Sequence, residues 1–193
     1  MPDSAVSTPS ATAYDLADLQ FLVVDDNPNM LRLLETMLRG LGISRIDCQG
    51  NAKKALKPGI LDGVDIIICD WLLEPITCME YVRRVRARNP ERICFVPIIQ
   101  LSGFTQQSHV EQSRDAGITE FLSLPVSPKL LYERIVYAIE QPRSFIDSSD
   151  YFGPDRRRRA DENYAGEERR LHIPDAVEMT GEEGPRPKLE FAG

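Results

Sequence analysis

The chain has no long hydrophobic run, few aromatic residues and only two histidines. No apolar stretch approaches the roughly 20 residues needed to cross a bilayer, so a membrane-embedded protein is not expected. The opening segment, MPDSAVSTPSATAYDLADL, lacks the basic start and apolar core of a secretory signal. Cysteine is sparse: Cys48, Cys69, Cys78 and Cys94 form no C-x-x-C pair, and His109 and His172 lie far from them. A disulfide framework or zinc site therefore has little support, and a reducing cytosol is the expected compartment. Positive charge is in deficit, with 23 Lys and Arg against 30 Asp and Glu and a net charge of −7. That balance argues against a wholly basic nucleic-acid binder. What is present suffices for one core, since 42% of the 193 residues are hydrophobic, with room for extensions beyond one ordinary domain.

From residue 20 short apolar runs alternate with amphipathic stretches. Strands are predicted over 20–24, 43–48, 64–69, 94–101 and 119–123, because these runs are short and rich in β-branched residues. Helices are predicted over 28–40, 52–58, 77–88, 105–116 and 128–140. In the first, Met30, Leu31, Leu34, Met37 and Leu38 form a stripe at helical spacing. Asn27-Pro28 and Ser127-Pro128 are each a cap followed by a proline at the first helical position. Five strands interleaved with five helices predict an α/β, doubly wound parallel sheet. Cys69 and Cys94 read as small core residues, and the arginines of 83–88 as a solvated helix face. His109 reads as an ordinary surface residue of its helix.

Chemistry-bearing residues gather at the ends of these strands. FLVVDDNPNM places Asp25 and Asp26 directly after an apolar run and before a helix start. VDIIICDW ends in Asp70, and the strand after it ends in Ser102-Gly103. In open α/β sheets the carboxyl edge is where ligands bind. Like charges placed together resist ionisation unless a cation compensates. An all-oxygen ligand set without His or Cys points to Mg²⁺, which takes one or two carboxylates and keeps several waters.

The succession VVDD, ICDW, LSG and FLSLP, over roughly residues 18–141, resembles the receiver domain of two-component response regulators. The resemblance implies a flavodoxin-like sheet of order 2-1-3-4-5 that takes a phosphoryl group on Asp70. It implies that Asp25, Asp26, Asp70 and the Leu72 backbone carbonyl hold Mg²⁺, that Ser102 is the switch hydroxyl, and that Phe121 is the aromatic switch residue. Donors implied are a sensor histidine kinase or a histidine phosphotransfer protein. The family's lysine before the proline after the fifth strand is replaced by Leu124, and Lys129 lies on the following helix. Leucine can neither neutralise charge nor bond a phosphoryl oxygen. A pseudo-receiver that signals without phosphorylation is therefore the alternative. A phosphatase with an aspartyl nucleophile fits less well, since Leu72 stands where a second acid is needed. Trp71, beside Asp70, is expected to report Mg²⁺ through its fluorescence.

After residue 141 the periodic pattern stops. Residues 142–193 carry nine Lys and Arg against twelve Asp and Glu, with many Pro and Gly, a composition expected to be disordered. Residues 1–17 are expected to be a flexible lead-in. The tail contains Tyr151-Phe-Gly-Pro-Asp-Arg-Arg and Tyr164-Ala-Gly-Glu-Glu-Arg-Arg, two copies of Y-x-G-x-[D/E]-R-R. They read as one recognition element used twice, binding an output protein rather than nucleic acid.

Overall fold

A computed structural model describes residues 14–87, 92–104, 106–156 and the backbone of 170–171. Five strands, β1 (Gln20–Val24), β2 (Arg45–Gln49), β3 (Ile66–Asp70), β4 (Ile98–Ser102) and β5 (Glu120–Ser123), form a sheet of order β2-β1-β3-β4-β5. All four strand pairings are parallel. Between them run α1 (Pro28–Gly40), α2 (Ala52–Ala55), α3 (Cys78–Arg86) and α4 (Gln107–Ala116), and α5 (Pro128–Glu140) follows β5. The doubly wound order expected from the sequence is the order observed.

Alternation along the buried strands divides the core into two layers. Leu22, Val24, Ile67, Cys69 and Ile98 join Tyr81, Val82 and Val85 of α3 on one face. Phe21, Val23, Ile68, Ile99 and Leu101 join Leu34 and Leu38 of α1 and Leu131 and Ile135 of α5 on the other. This two-sided burial explains why the strands read as continuous apolar runs. The expected caps form: the Asn27 side chain accepts from the Asn29 and Met30 amides, and Ser127 accepts from the Leu130 amide. Helix α2 stops at Ala55, short of the expected 58, and a 3-10 turn at Arg92–Phe95 occupies the start of the expected fourth strand.

The expected domain limits are too narrow at both ends. Leu16 and Leu19 are buried in the α1/α5 layer, and the Tyr14 amide donates to the Tyr132 hydroxyl at 2.9 Å. At the other end, β6 (Phe145–Ser148) and β7 (Tyr151–Pro154) form an antiparallel hairpin, and β8 (Arg170–Leu171) pairs with the free edge of β6. Residues 145–156 are therefore not the disordered chain that composition suggested. Phe145 and Phe152 pack edge-on against Phe95, with ring centroids 5.1 and 5.4 Å away. Residues 151–156 of the first Y-x-G-x-[D/E]-R-R copy make internal contacts, while Arg157 lies outside the described residues. Tyr151 donates its hydroxyl to the Pro154 carbonyl at 2.8 Å, and the Arg156 guanidinium lies 4.1 Å from the Tyr151 ring centroid. A Cβ on Gly153 would stand 2.6 Å from the Tyr151 hydroxyl and 3.3 Å from Gly117 Cα, so a larger residue there would have to displace the Tyr151 ring. The second copy, apart from the backbone of Arg170, lies outside the described residues.

Arg86 corrects the expectation of a solvated arginine face. It is 2% exposed, while Arg83 and Arg84 are exposed. Its guanidinium donates to the carbonyls of Cys94, Val96 and Gly117 and to the Thr119 hydroxyl. The Phe145 ring covers it at 5.2 Å. Burial lowers its pKa to about 10, so it stays charged at neutral pH. A buried cation left unpaired is costly, and here carbonyl dipoles take the place of a carboxylate. Because Phe145 is buried against this arrangement, Phe145→Ala should lower the unfolding free energy by about 3 kcal/mol. Truncation after Gln141 should cost at least as much. Urea unfolding measures both, and a truncated chain as stable as the full one would refute an integral hairpin.

Candidate functional site

Strand register brings the predicted residues to one edge. The last paired positions of β1 and β3 are Val24 and Cys69, so Asp25 follows β1 beside Asp70, the final residue of β3. In turn Asp70 pairs with Leu101, which puts Ser102 one residue further along the neighbouring strand. Ser102 pairs with Ser123, and the Leu124 amide donates to the Ser102 carbonyl at 2.9 Å. Order 2-1-3-4-5 reverses direction at β1, so Asp25, Asp26 and Asp70 border the switch point, where such sheets bind ligands.

The carboxylates differ in environment. Asp25 is 2% exposed, while Asp26 is open to solvent. An Asp25 oxygen accepts from the Asn27 amide at 2.8 Å, and an Asp70 oxygen from the Leu72 amide at 2.9 Å. Burial raises the Asp25 pKa to about 6; the Asn27 amide opposes the rise, and the Asp70 and Asp26 charges add to it. Asp70 is raised too, by burial first and by the charge of Asp26, against the Leu72 and Trp71 amides. Burial and neighbouring charge thus disfavour the ionised forms of Asp25 and Asp70, which a hard cation would relieve. Among the described residues no three His, Cys, Asp or Glu side chains converge as a ready cluster. Mg²⁺ does not require one, because waters and a backbone carbonyl complete its shell. The donor set fits.

The remaining expected residues are placed as follows. The Ser102 side chain is held by its own loop, accepting from the Phe104 amide at 2.9 Å and donating to the Phe104 carbonyl at 3.3 Å. Phe121 is half-buried in β5, in register with Gln100. Leu124 packs on the α1/α5 apolar layer. Lys129 is exposed and pairs with Glu133 at 3.9 Å on its own helix, so it does not replace the absent lysine. Leu72 and Phe104 are 60% and 42% exposed, leaving apolar surface beside the acids.

His109 is not the bland surface residue its sequence suggested. Its ring lies 4.8 Å from Trp71 and 5.3 Å from Phe104, centroid to centroid. Three aromatic rings thus join the Asp70 turn, the Ser102 loop and the first turn of α4. Nothing in the local sequence announces this contact, because it joins residues far apart in the chain. The Cys69 and Cys78 thiols lie 3.4 Å apart beneath the site, both fully buried. The hydrogen bond with Cys78 and burial hold the Cys69 thiol well above its usual pKa, and both side chains pack as core.

With this geometry in view, the chain matches the response regulator receiver domain over residues 21–136. It belongs to that family. The chemotaxis protein CheY of Pseudomonas aeruginosa is 24% identical over 123 residues, covering 64% of this chain and 98% of the relative. A cyclic di-GMP phosphodiesterase of Thermotoga maritima is 25% identical over 118 residues, but the match covers only 30% of that protein. Among solved structures, the chemotaxis response regulator CheY4 of Vibrio cholerae superposes with a TM-score of 0.56 at 24% identity, covering 61% of this chain and 96% of that one. The beryllofluoride-activated receiver domain of DrrB gives 0.55 at 22%, covering 64% and 98%. Those two likenesses show the fold. Among the described residues no helix is long and apolar enough to cross a membrane.

The raised carboxyl of Asp25 makes a signed prediction. In the unfolded chain it ionises near 3.8, but in the fold only near 6. Its contribution to stability is therefore full below pH 4 and lost as pH rises through 6. Asp70, also raised, acts with the same sign. Mg²⁺ should raise the melting temperature at pH 7 and much less at pH 5, adding about 1.4 kcal/mol at ten times its Kd. Asp25→Asn should stabilise the metal-free protein at pH 7 and weaken the Mg²⁺ response. Thermal melts with and without Mg²⁺ at the two pH values test this, and equal Mg²⁺ responses at both would refute it.

Proposed function

We propose that the chain is a phosphoacceptor receiver that takes its phosphoryl group on Asp70 from a phospho-histidine of a sensor kinase or histidine phosphotransfer protein, and signals through protein–protein contacts. The observation that carries this reading is the register that sets Asp70 beside buried Asp25 and one strand from Ser102. An Asp70 oxygen attacks phosphorus as the bond to the donor's imidazole nitrogen breaks, and that nitrogen keeps the electron pair and takes up a proton. Transfer of this kind asks for in-line positioning and charge neutralisation more than for covalent help. Asp25, Asp26, Asp70 and the Leu72 carbonyl are the groups that would hold Mg²⁺, which when bound supplies positive charge to the phosphoryl oxygens. The Leu72 amide bond fixes one Asp70 oxygen, and Ser102 is the donor for a phosphoryl oxygen once it leaves the Phe104 carbonyl. The setting is a reducing cytosol, with no role for nucleic acid. The tail's second Y-x-G-x-[D/E]-R-R copy is a contact for an output protein.

Incubation with acetyl phosphate and Mg²⁺, followed by intact mass, is the decisive experiment. The chain should gain one phosphoryl group and Asp70→Asn should gain none. Modification of Asp70→Asn to the same extent would sink the assignment of Asp70.

A second reading, the pseudo-receiver, is favoured by one observation: Leu124 fills an apolar layer where the family places a cation. A charge-assisted hydrogen bond is worth about 1.5–3 kcal/mol, comparable with a whole allosteric coupling energy of about 1–3 kcal/mol. Leu124→Lys should therefore enlarge the NMR shift changes around Phe121 and α5 when Mg²⁺ and beryllofluoride, a phosphoryl mimic, are added. A full response in the natural chain that lysine does not increase would show that the loss is already compensated.

A further inference from the structure

Helix α4 joins the phosphorylation site to the C-terminal hairpin. Its ten residues span about 15 Å. At the amino end His109 sits between Trp71 and Phe104, and among the described residues its buried Nδ1 has no hydrogen-bond partner. At the carboxyl end Asp115 pairs with Arg156 at 3.3 Å. The next residue after α4, Gly117, lies beneath Gly153 and against Arg86: a Cβ on Gly117 would meet Arg86 Cγ at 3.2 Å. Between the ends, the Ser113 hydroxyl is buried and donates to Gln100 of β4. Within α4 only Ser113 and Ala116 are buried, so most of the helix faces solvent. It packs along α3 and is tied to the sheet through Ser113, with each end touching a different structure.

Resting on the receiver reading, we propose that α4 couples the occupancy of the Asp70 site to the docking of the β6–β7 hairpin. Ser102 is bound to the backbone of Phe104, so drawing its hydroxyl toward a phosphoryl oxygen displaces Phe104 and with it the His109 ring. Pivoting about Ser113 then moves Asp115 and Gly117 against Arg156, Gly153 and Arg86. The hairpin thus becomes a second surface that senses phosphorylation, at the end of the sheet opposite the site. By linkage the effect is reciprocal.

The test uses the full chain and two readouts. Amide exchange across 145–154 is measured with and without Mg²⁺ plus beryllofluoride. Separately, the Trp71 indole and His109 ring resonances are recorded in the unliganded natural chain, in Arg156→Ala and in Asp115→Asn. Both substitutions lie at exposed positions and spare the apolar core. The expected result is a change of about fivefold or more in hairpin exchange on adding the mimic, together with shifted His109 and Trp71 signals in both variants. Failure to bind beryllofluoride, read by unchanged Trp71 fluorescence, would overturn the receiver reading. The coupling would then stand or fall on the resonance shifts alone. Unmoved His109 and Trp71 signals in both variants, or unchanged hairpin exchange with the mimic bound, would overturn the coupling.

Discussion

Burial of one carboxylate beside two others at a single sheet edge is the constraint on which this structure turns. Asp25 is buried beside Asp70 because β1 and β3 are neighbours in register, and its carboxyl is lifted to about 6. An apolar residue there would leave the two-layer core intact and remove the repulsion. The chain instead keeps an anion where anions are disfavoured, and spends the Asn27 and Leu72 amides on orienting two of them. Stability given up at a site is a mark of function, since a sheet of this order folds without it.

A second buried charge, of opposite sign, lies at the other end of the sheet. Among the described residues Arg86 has no carboxylate hydrogen-bond partner, and three carbonyls and a hydroxyl take its donors. Those carbonyls come from the 3-10 turn, from the chain just before β4 and from the end of α4, so one planar fork fixes three connections at once. Phe145 then excludes water from the guanidinium. The neighbouring Glu120, also buried, is bridged by Arg134 and by Arg143, the latter from the segment that leads into β6. The hairpin is thus bound to the domain by polar as well as aromatic contacts.

The sheet and its carboxyl edge were legible because their signals are local. Four-residue apolar runs, Asn27-Pro28 and Ser127-Pro128 mark strand ends and helix starts within a few residues of sequence. Asp25, Asp26, Asp70 and Ser102 follow from those ends directly. Arg86 was not legible, because its neighbours Arg83 and Arg84 are exposed and only the meeting of α3, α4 and β4 buries it. Nor was His109, whose contacts come from two other loops. The hairpin did have a local signal: Phe145-Ile146 and Tyr151-Phe152 flank Ser148-Ser149-Asp150, a pattern of two short strands around a turn. The charge of the whole tail, averaged over fifty-two residues, masked a folded stretch of about a dozen.

Replacing the family's lysine with Leu124 changes which parts of the molecule can respond to charge at Asp70. A cation on the β5 side would tie the site to α5. Leucine joins the α1/α5 apolar layer instead, so that side gains packing and loses an electrostatic link. On the other side, Ser102 remains tied to the Phe104 backbone, and Phe104 to His109. A ligand shifts an equilibrium only through contacts that differ between the two states. On the proposed reading, the contacts that differ between the two states are those of Ser102, and they lead into α4. The same chain adds a hairpin docked where α4 ends. The two departures from a plain receiver fit the proposed coupling: an apolar contact toward α5 where the family has a cation, and a hairpin docked at the far end of α4.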